Sequence, residues 1–302
     1  MTLILIPPTL MLESVMNKKN YIAVLLTCHN RKDKTLTCLN YFHNANKPDG
    51  FLFEIFLVDD GSTDGTADAV NTNFPNVKVI KGTGNLFWNQ GMRLAWETAL
   101  MCRNDYDYYL WLNDDTFINL DAIIEVLNVA HESRLSNDIE PIVTGACHES
   151  KENMIFSYGG RMNDEPVVPN GKLQKCSRIN GNFVLIPYNV YKKLGILSGK
   201  YTHGMGDFDY SARAEKMGIP CYTTRSYIGF CATNKKTASW CDPNKSFIER
   251  WKNFNSPLGL NIREYKEFLK VHSFSWKRDI TKAYLKFLLP KLYAKFSFFL
   301  NR

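Results

Sequence analysis

The sequence predicts an α/β fold: a largely parallel central sheet flanked by helices. Three observations carry that prediction. From residue 21 onward short β-rich runs alternate with amphipathic helical windows. Acidic residues gather where two of the runs stop, at 59–60 and 114–115, as they do where an open parallel sheet binds ligands beyond its strands' carboxyl ends. The chain has 302 residues, 45% of them apolar, enough for a sizeable core and too many for a disordered chain.

The elements follow in order. Tyr21 to Leu26 reads as a first buried strand, followed by a polar turn and a helix to about Phe42. Phe53 to Val58 is a second strand, and the acidic, Gly-rich turn after it runs into a helix near Ala67 to Asn73. Val77 to Ile80 is a third short strand. The Gly-rich loop that follows opens a helix whose Met92, Ala95, Trp96, Ala99 and Leu100 recur at the three- and four-residue spacing that packs one face on a sheet. Tyr108 to Leu112 is a fourth strand ending in Asn113, Asp114 and Asp115, and Asp121 to His131 a further helix. Beyond about residue 140 the periodicity is mixed. Phe183 to Ile186 reads as a strand there, and Asp207 to Met217 as a helix closed by Gly218. Residues 20–260 are expected to form one unit, with a nucleotide-facing half (20–135) and a second-substrate half (136–260). A 1–19 extension precedes it and a basic, aromatic-rich helical tail (261–302) follows.

Charge and cysteine usage narrow the setting. With 37 Lys and Arg against 30 Asp and Glu the formal charge is +7, which favours anionic partners without choosing among nucleic acid, anionic lipid and phosphorylated substrate. The basic residues concentrate in the tail and no nucleic-acid motif accompanies them, so nucleic acid is not expected as a partner. None of the eight cysteines forms a C-x-x-C pair, the pattern of free thiols in a reducing cytosol. The apolar opening MTLILIPPTLML is broken by Pro7 and Pro8 and lacks a basic flank, so it is expected neither to span a bilayer nor to act as a leader, and Met16 is a candidate start. The expected location is cytoplasmic, in solution or on a membrane face.

Two acidic clusters can carry chemistry. In DDGSTDGT, Asp59 and Asp60 stand at a strand's end, where carboxylates can accept from a nucleobase N–H or ribose hydroxyls; an ordinary capped strand-to-helix turn would use the same residues. Adjacent Asp114 and Asp115 repel one another unless a cation or hydroxyl donors lie between them. Mg²⁺ or Mn²⁺ suits that need, because it takes one or two carboxylates and completes its shell with phosphate oxygens and water. A solvated acidic turn is the plainer alternative.

Four segments, TCHNR (27–31), VDDGSTDGT (58–66), GNLFWNQGMRLAW (84–96) and WLNDDT (111–116), together resemble a family 2 glycosyltransferase of the GT-A fold. The continuation GNFVLIP (181–187), GDFDYSARAEKMG (206–218) and ERWKNFNSPLGL (249–260) looks like the bacterial subgroup that builds polysaccharides, rhamnosyltransferase-like members included. The resemblance implies an inverting transfer of a sugar from a dTDP- or UDP-linked donor to a hydroxyl of a saccharide, lipid-linked in that subgroup, with a divalent cation as cofactor. It puts Thr27, His29, Asn30 and Arg31 near the nucleotide, and Asp59 or Asp60 on the base or ribose. Asn85, Trp88 and Asn89 would face the donor. Asn113, Asp114 and Asp115 occupy the place of the D-x-D motif, with Asp115 as metal ligand and Asp114 on ribose or donor sugar; Asn113 departs from the motif and removes a charge. Asp207 matches the general base, with Gly206 where relatives often carry Glu. His203 could contact acceptor or phosphate, Asp209 could cap the helix or bind acceptor, and His272 is a candidate late metal ligand.

The tail, KAYLKFLLPKLYAKFSFFLNR (282–302), interleaves Lys282, Lys286, Lys291, Lys295 and Arg302 with apolar residues. Such segments bind anionic bilayer surfaces, or pack on their own domain, and Pro290 would kink the helix. Two rivals compete with the transferase reading. A sugar nucleotidyltransferase of the same fold would carry a Gly-rich basic segment after the first strand, which TCHNR is not. A catalytically silent nucleotide- or carbohydrate-binding protein would not need Asp115 and Asp207. A nicotinamide dehydrogenase lacks its G-x-G-x-x-G.

Overall fold

Nine consecutive residues of the first strand, Asn20–Cys28 (β1), alternate between two cores. Ile22, Val24, Leu26 and Cys28 enter one, Ala23 and Leu25 the other. Both faces of the strand are therefore covered, which is why Ile22–Leu26 is an unbroken apolar run. The computed structural model describes residues 19–137, 139–233, 238–293 and 295; most of the N-terminal extension and the end of the tail, with Arg302, lie outside them.

The remaining strands are β2 (Phe51–Asp59), β3 (Val77–Lys81), β4 (Tyr108–Leu112), β5 (Phe117–Ile118), β6 (Ile142–His148), β7 (Phe156–Tyr158), β8 (Arg161–Met162), β9 (Glu165–Pro166), β10 (Gln174–Cys176), β11 (Phe183–Pro187) and β12 (Cys221–Phe230). The main sheet runs in the order β10-β12-β6-β11-β4-β1-β2-β3, with β5 on β12 and β7 on β6. β3, β2, β1 and β4 pair in parallel, as do β6 and β12, while β11 and β10 run against their neighbours. This is the mostly parallel α/β sheet that the alternation predicts. β6 and β12 were not legible in sequence: all seven side chains of β6 are buried, so it shows no period-two pattern.

Helices α1 (Lys32–Asn44) and α4 (Ala122–Asn137) cover one face through Cys38, Leu39, Phe42, Ile123 and Val126; α2 (Thr66–Asn73) adds Val70. Helices α3 (Phe87–Cys102), α5 (Tyr188–Leu194) and α6 (Gly206–Lys216) cover the other. Met92, Ala95, Trp96 and Ala99 of α3 are fully buried, as their spacing predicts. Trp96 sits among Tyr109, Trp111, Tyr191 and Tyr210, with ring centroids 5.0–6.0 Å away.

Three further helices, α7 (Phe247–Asn255), α8 (Ile262–His272) and α9 (Trp276–Leu288), form an appendage around Phe254, Ile262, Ala283 and Phe287. Ser246 and Glu249 close a reciprocal capping box that starts α7. Although α7 precedes residue 260, its apolar face belongs with the C-terminal helices. The helix breaks at Leu289, before Pro290. Among the described residues no helix is long and apolar enough to cross a membrane.

Trp96→Ala is expected to lower the unfolding free energy by about 3–5 kcal/mol, read as a lower urea midpoint.

Candidate active site

The parallel register sets Cys28 beside Asp59, and Asp59 beside Lys81. The loops leaving β1, β2, β3 and β4 therefore open on one edge. That edge brings together the two acidic clusters.

Asp60 is 3% exposed, and its carboxylate collects the backbone N–H groups of Gly84 (2.7 Å), Leu86 (2.8 Å) and Phe87 (2.9 Å). This carboxylate builds the loop that begins α3, where Phe87 takes a left-handed φ of 55°. With both oxygens engaged, Asp60 is an organiser of the loop rather than a free acceptor for a base or ribose. Asp59 accepts from Ser62 N at 2.9 Å through Oδ1. His29 Nδ1 lies 2.6 Å from the Asp60 carbonyl, which can only accept, so Nδ1 carries the proton and Nε2 faces the Asn30 amide at 3.1 Å. Asn30 in turn ties β1's end to the β2 loop, through Ser62 Oγ and Thr63 N.

At the end of β4, Arg31 Nη1 donates to Asp114 Oδ1 (3.1 Å) and to Asp115 Oδ2 (2.9 Å). The guanidinium answers the repulsion that the adjacent carboxylates predict. Burial pushes the Asp114 carboxyl up to about 6, against the opposing pull of Arg31, and Asp115 adds to the rise. Asp115 is the more open of the two, with 26% side-chain exposure against 7%. Among the described residues no three His, Cys, Asp or Glu side chains converge as a metal cage. The pair fits a divalent cation that draws its other ligands from phosphate oxygens and water, with Asp115 as the accessible protein ligand.

Asn113 accepts from Trp88 Nε1 at 2.7 Å through its side chain, donates its backbone N–H to Asn182 O at 2.9 Å, and receives the Cys38 thiol on its carbonyl. Trp88 thereby lies over Gly181, where an added Cβ would collide with the indole. Gly181 N donates at 3.1 Å to Asp207 Oδ2, and Phe208 N at 2.9 Å to Oδ1. Burial pushes the Asp207 carboxyl up to about 6, while these backbone N–H groups hold it from rising further. A short chain of contacts thus joins the base candidate to the Asn113–Asp115 motif.

Other expected site residues have different places. Asn89 does not face the donor: it is fully buried, donating to the carbonyls of Ser198 and Tyr201 at 2.9 and 2.5 Å. Thr27 is buried against Gly91, and Asn85 is exposed at the loop tip. His203 Nδ1 accepts from Trp88 N at 3.4 Å; burial and then the Arg31 charge hold its imidazole below the usual range. Asp209 is consumed internally by Arg213 Nε (2.8 Å), Tyr201 Oη (3.5 Å) and His272 Nε2 (2.9 Å). His272 therefore belongs to Asp209, and the structure does not bring it to Asp115. Asp209 is not open to an acceptor for the same reason.

Sequence reading missed Glu264, whose carboxylate accepts from Thr202 N (2.9 Å) and Oγ1 (2.5 Å) beside His203. It lies 62 residues away, and no local pattern signals such a contact. Gly181 and Asn182 open the GNFVLIP segment that the sequence singles out, but their contacts with Asp207 and Asn113 were not legible there.

Residues 23–157 match the family model described as Glycosyl transferase family 2. No curated protein matches the chain. Among solved structures it is similar to the mannosyltransferase PcManGT from Pyrobaculum calidifontis in complex with GDP-Man and Mn²⁺, at 16% identity and a TM-score of 0.53, over 89% of this chain and 74% of that one. It is also similar to S. aureus TarS 1-349 in complex with UDP, at 14% identity and a TM-score of 0.51, over 84% and 72%. The same protein in complex with UDP-GlcNAc gives 14% identity and 0.50, over 92% and 73%. These likenesses are of fold, and the fold they share is GT-A.

Asp60→Ala is expected to cost about 3 kcal/mol of stability without any ligand, because three N–H groups lose a charged acceptor. Asp59→Ala is expected to cost about 1 kcal/mol, the two compared by urea denaturation.

Proposed function

We propose that the protein is an inverting glycosyltransferase that moves a sugar from a nucleoside-diphosphate donor to a hydroxyl of a saccharide. The observation that carries this reading is the chain of contacts that links two carboxylate sites. Asp207, held by two backbone N–H groups with its carboxyl pushed up to about 6, is joined through Gly181, Asn182 and Asn113 to the Arg31–Asp114–Asp115 cluster. One end offers a base and the other a place for a diphosphate.

The reaction that suits them is a single displacement. Asp207 accepts the proton of the acceptor hydroxyl while that oxygen bonds to the anomeric carbon. The bond from that carbon to the diphosphate oxygen breaks, its electron pair leaves with the nucleoside diphosphate, and configuration inverts. Arg31, already on both acids, supplies positive charge where the leaving group gathers its negative charge. A divalent cation at Asp115, when bound, adds Lewis-acid neutralisation of that diphosphate. Thr27, His29 and Asn30 shape the floor at the end of β1. Since Asp60 is spent on its loop, Asp59 is the acid left for the base or ribose.

The donor we propose is a dTDP- or UDP-sugar, rhamnose among the candidates, and the acceptor a lipid-linked saccharide in bacterial surface polysaccharide assembly. Eight free cysteines suit a reducing cytoplasm, and the basic tail suits a peripheral position on the inner membrane's cytoplasmic face.

Asp207→Asn is expected to lower turnover by at least ~10²–10⁴-fold while nucleotide binding persists; near-normal turnover would remove Asp207 from this role. A base works only when ionised, so the wild-type rate is expected to be level above about pH 6 and to fall as pH drops through that value. Asp114, pushed up to about the same value, would steepen the fall.

The donor site is tested by thermal shift with UDP, dTDP and GDP, each with Mn²⁺, Mg²⁺ or EDTA. One nucleotide at a hundred times its dissociation constant is expected to stabilise by ~2.7 kcal/mol, in a metal-dependent way that Asp115→Ala abolishes. No shift with any nucleotide would favour a silent binding protein.

A further inference from the structure

The appendage has a second apolar face that no part of the described chain covers. On α7, Ile248 is 67% and Trp251 50% exposed, with Phe247 beside them; on α9 and the turn after it, Leu285, Leu288, Leu289 and Leu292 point outward, Leu288 at 51%. The α7 stripe packs against α9. The rings of Phe247 and Trp251 lie 5.3 and 5.7 Å from that of Phe287, whose own side chain is buried between the helices. On α9, at 100° per residue, Lys277 flanks the leucine stripe on one side and Lys282 and Lys286 on the other.

The charge of the whole chain resides in this appendage. Residues 245–295 contain twelve Lys and Arg and four Asp and Glu, a net +8 in a chain whose total is +7. The four acids are engaged at home: Glu249 in the α7 capping box, Glu264 on Thr202, Glu267 on Lys270 and Asp279 on Ser273 and Ser275. Lys252, Lys277, Lys291 and Lys295 are exposed.

From these observations we infer that α7 and α9 together form a platform that docks on an anionic lipid bilayer, with Trp251, Ile248 and the leucines in the acyl boundary and the lysines among the headgroups. Long lysine stems let the charge reach headgroups while the adjacent leucines stay buried. Charge argues against a second copy as the occupant, since pairing this face with itself would bring two appendages of net +8 together. The inference deepens the membrane position proposed above and replaces the linear tail by a composite surface in which α7, remote in sequence, supplies the aromatic anchors. It does not depend on catalysis.

The test is cosedimentation of the full chain with phosphatidylcholine vesicles, with and without about one third phosphatidylglycerol. The expected result is binding to the anionic vesicles that salt weakens, and at least ~10-fold weaker partition onto phosphatidylcholine alone. The double variant Trp251→Glu, Leu288→Glu is expected to remain in the supernatant with an unchanged circular dichroism spectrum. Equal binding by wild type and variant, or none by wild type, would overturn the platform. A dimer in light scattering that the same variant splits would overturn it in favour of a second copy. Nucleotide thermal shift on the same variant separates this outcome from the catalytic reading: a retained shift leaves the donor site standing whatever the vesicles do.

Discussion

Asn113 holds three parts of the chain together through its side-chain oxygen, its N–H and its carbonyl. Its side chain takes the Trp88 indole from α3, its N–H reaches Asn182 before β11, and its carbonyl takes the Cys38 thiol from α1. Three elements from different parts of the chain are thereby fixed around the start of the acidic motif. An Asp at this position could still accept from the indole, but it would set a third carboxylate beside Asp114 and Asp115 with Arg31 as their shared counter-charge. Asn at this position thus keeps a third negative charge out of a cluster in which Asp115 is already held by Arg31 and receives the Cys231 thiol.

Asp114 and Asp207 are both pushed up to about 6, yet they are not equivalent. Asp114 sits against a guanidinium that favours its charged form, with Asp115 opposing. The causes at Asp207 are burial and backbone N–H groups, with no cation among them. A carboxylate steadied by dipoles alone gains from taking up a proton and still ionises near neutrality, which is what a base requires. One stretched between a cation and another acid is better suited to holding a charged ligand. The neighbouring glycine is constrained as well. Asn89 fills the space that a Cβ at Gly206 would occupy, so no side chain has room there and the residue before Asp207 packs against α3.

The legible part of this site was what strand ends announce locally. Carboxylates after β2 and β4 were readable as one crevice because parallel strands deliver their carboxyl ends to the same edge. What each carboxylate does was not readable, since Asp59 and Asp60 differ only in which way the next loop turns: Asp60 meets three N–H groups more than twenty residues on. The same limit governs His272, which looks like a free late histidine until the fold sets it on Asp209. It governs Asn89 too, whose side-chain amide donates to the Ser198 and Tyr201 carbonyls inside the protein. β6 was missed for the opposite reason, as complete burial erases the alternation that betrays a strand.

The appendage reaches α6, the helix that carries Asp207, through α8. Glu264 grips Thr202 in the loop ahead of α6, the His272 imidazole reaches Asp209 on the first turn of α6, and Lys216 Nζ donates to the Val271 carbonyl at 2.7 Å. The face of α7 and α9 that we propose meets lipid is therefore one helix away from Asp207. Because Thr202 O also receives the N–H of Asn89 at the start of α3, a shift of α8 would be felt both at the start of α3 and at Asp207. An anchor bolted at these points holds the crevice at a set height and tilt above the bilayer. An acceptor tethered to the same membrane by its lipid would then meet Asp207 from a restricted direction, which lowers the entropy lost in bringing its hydroxyl to the base.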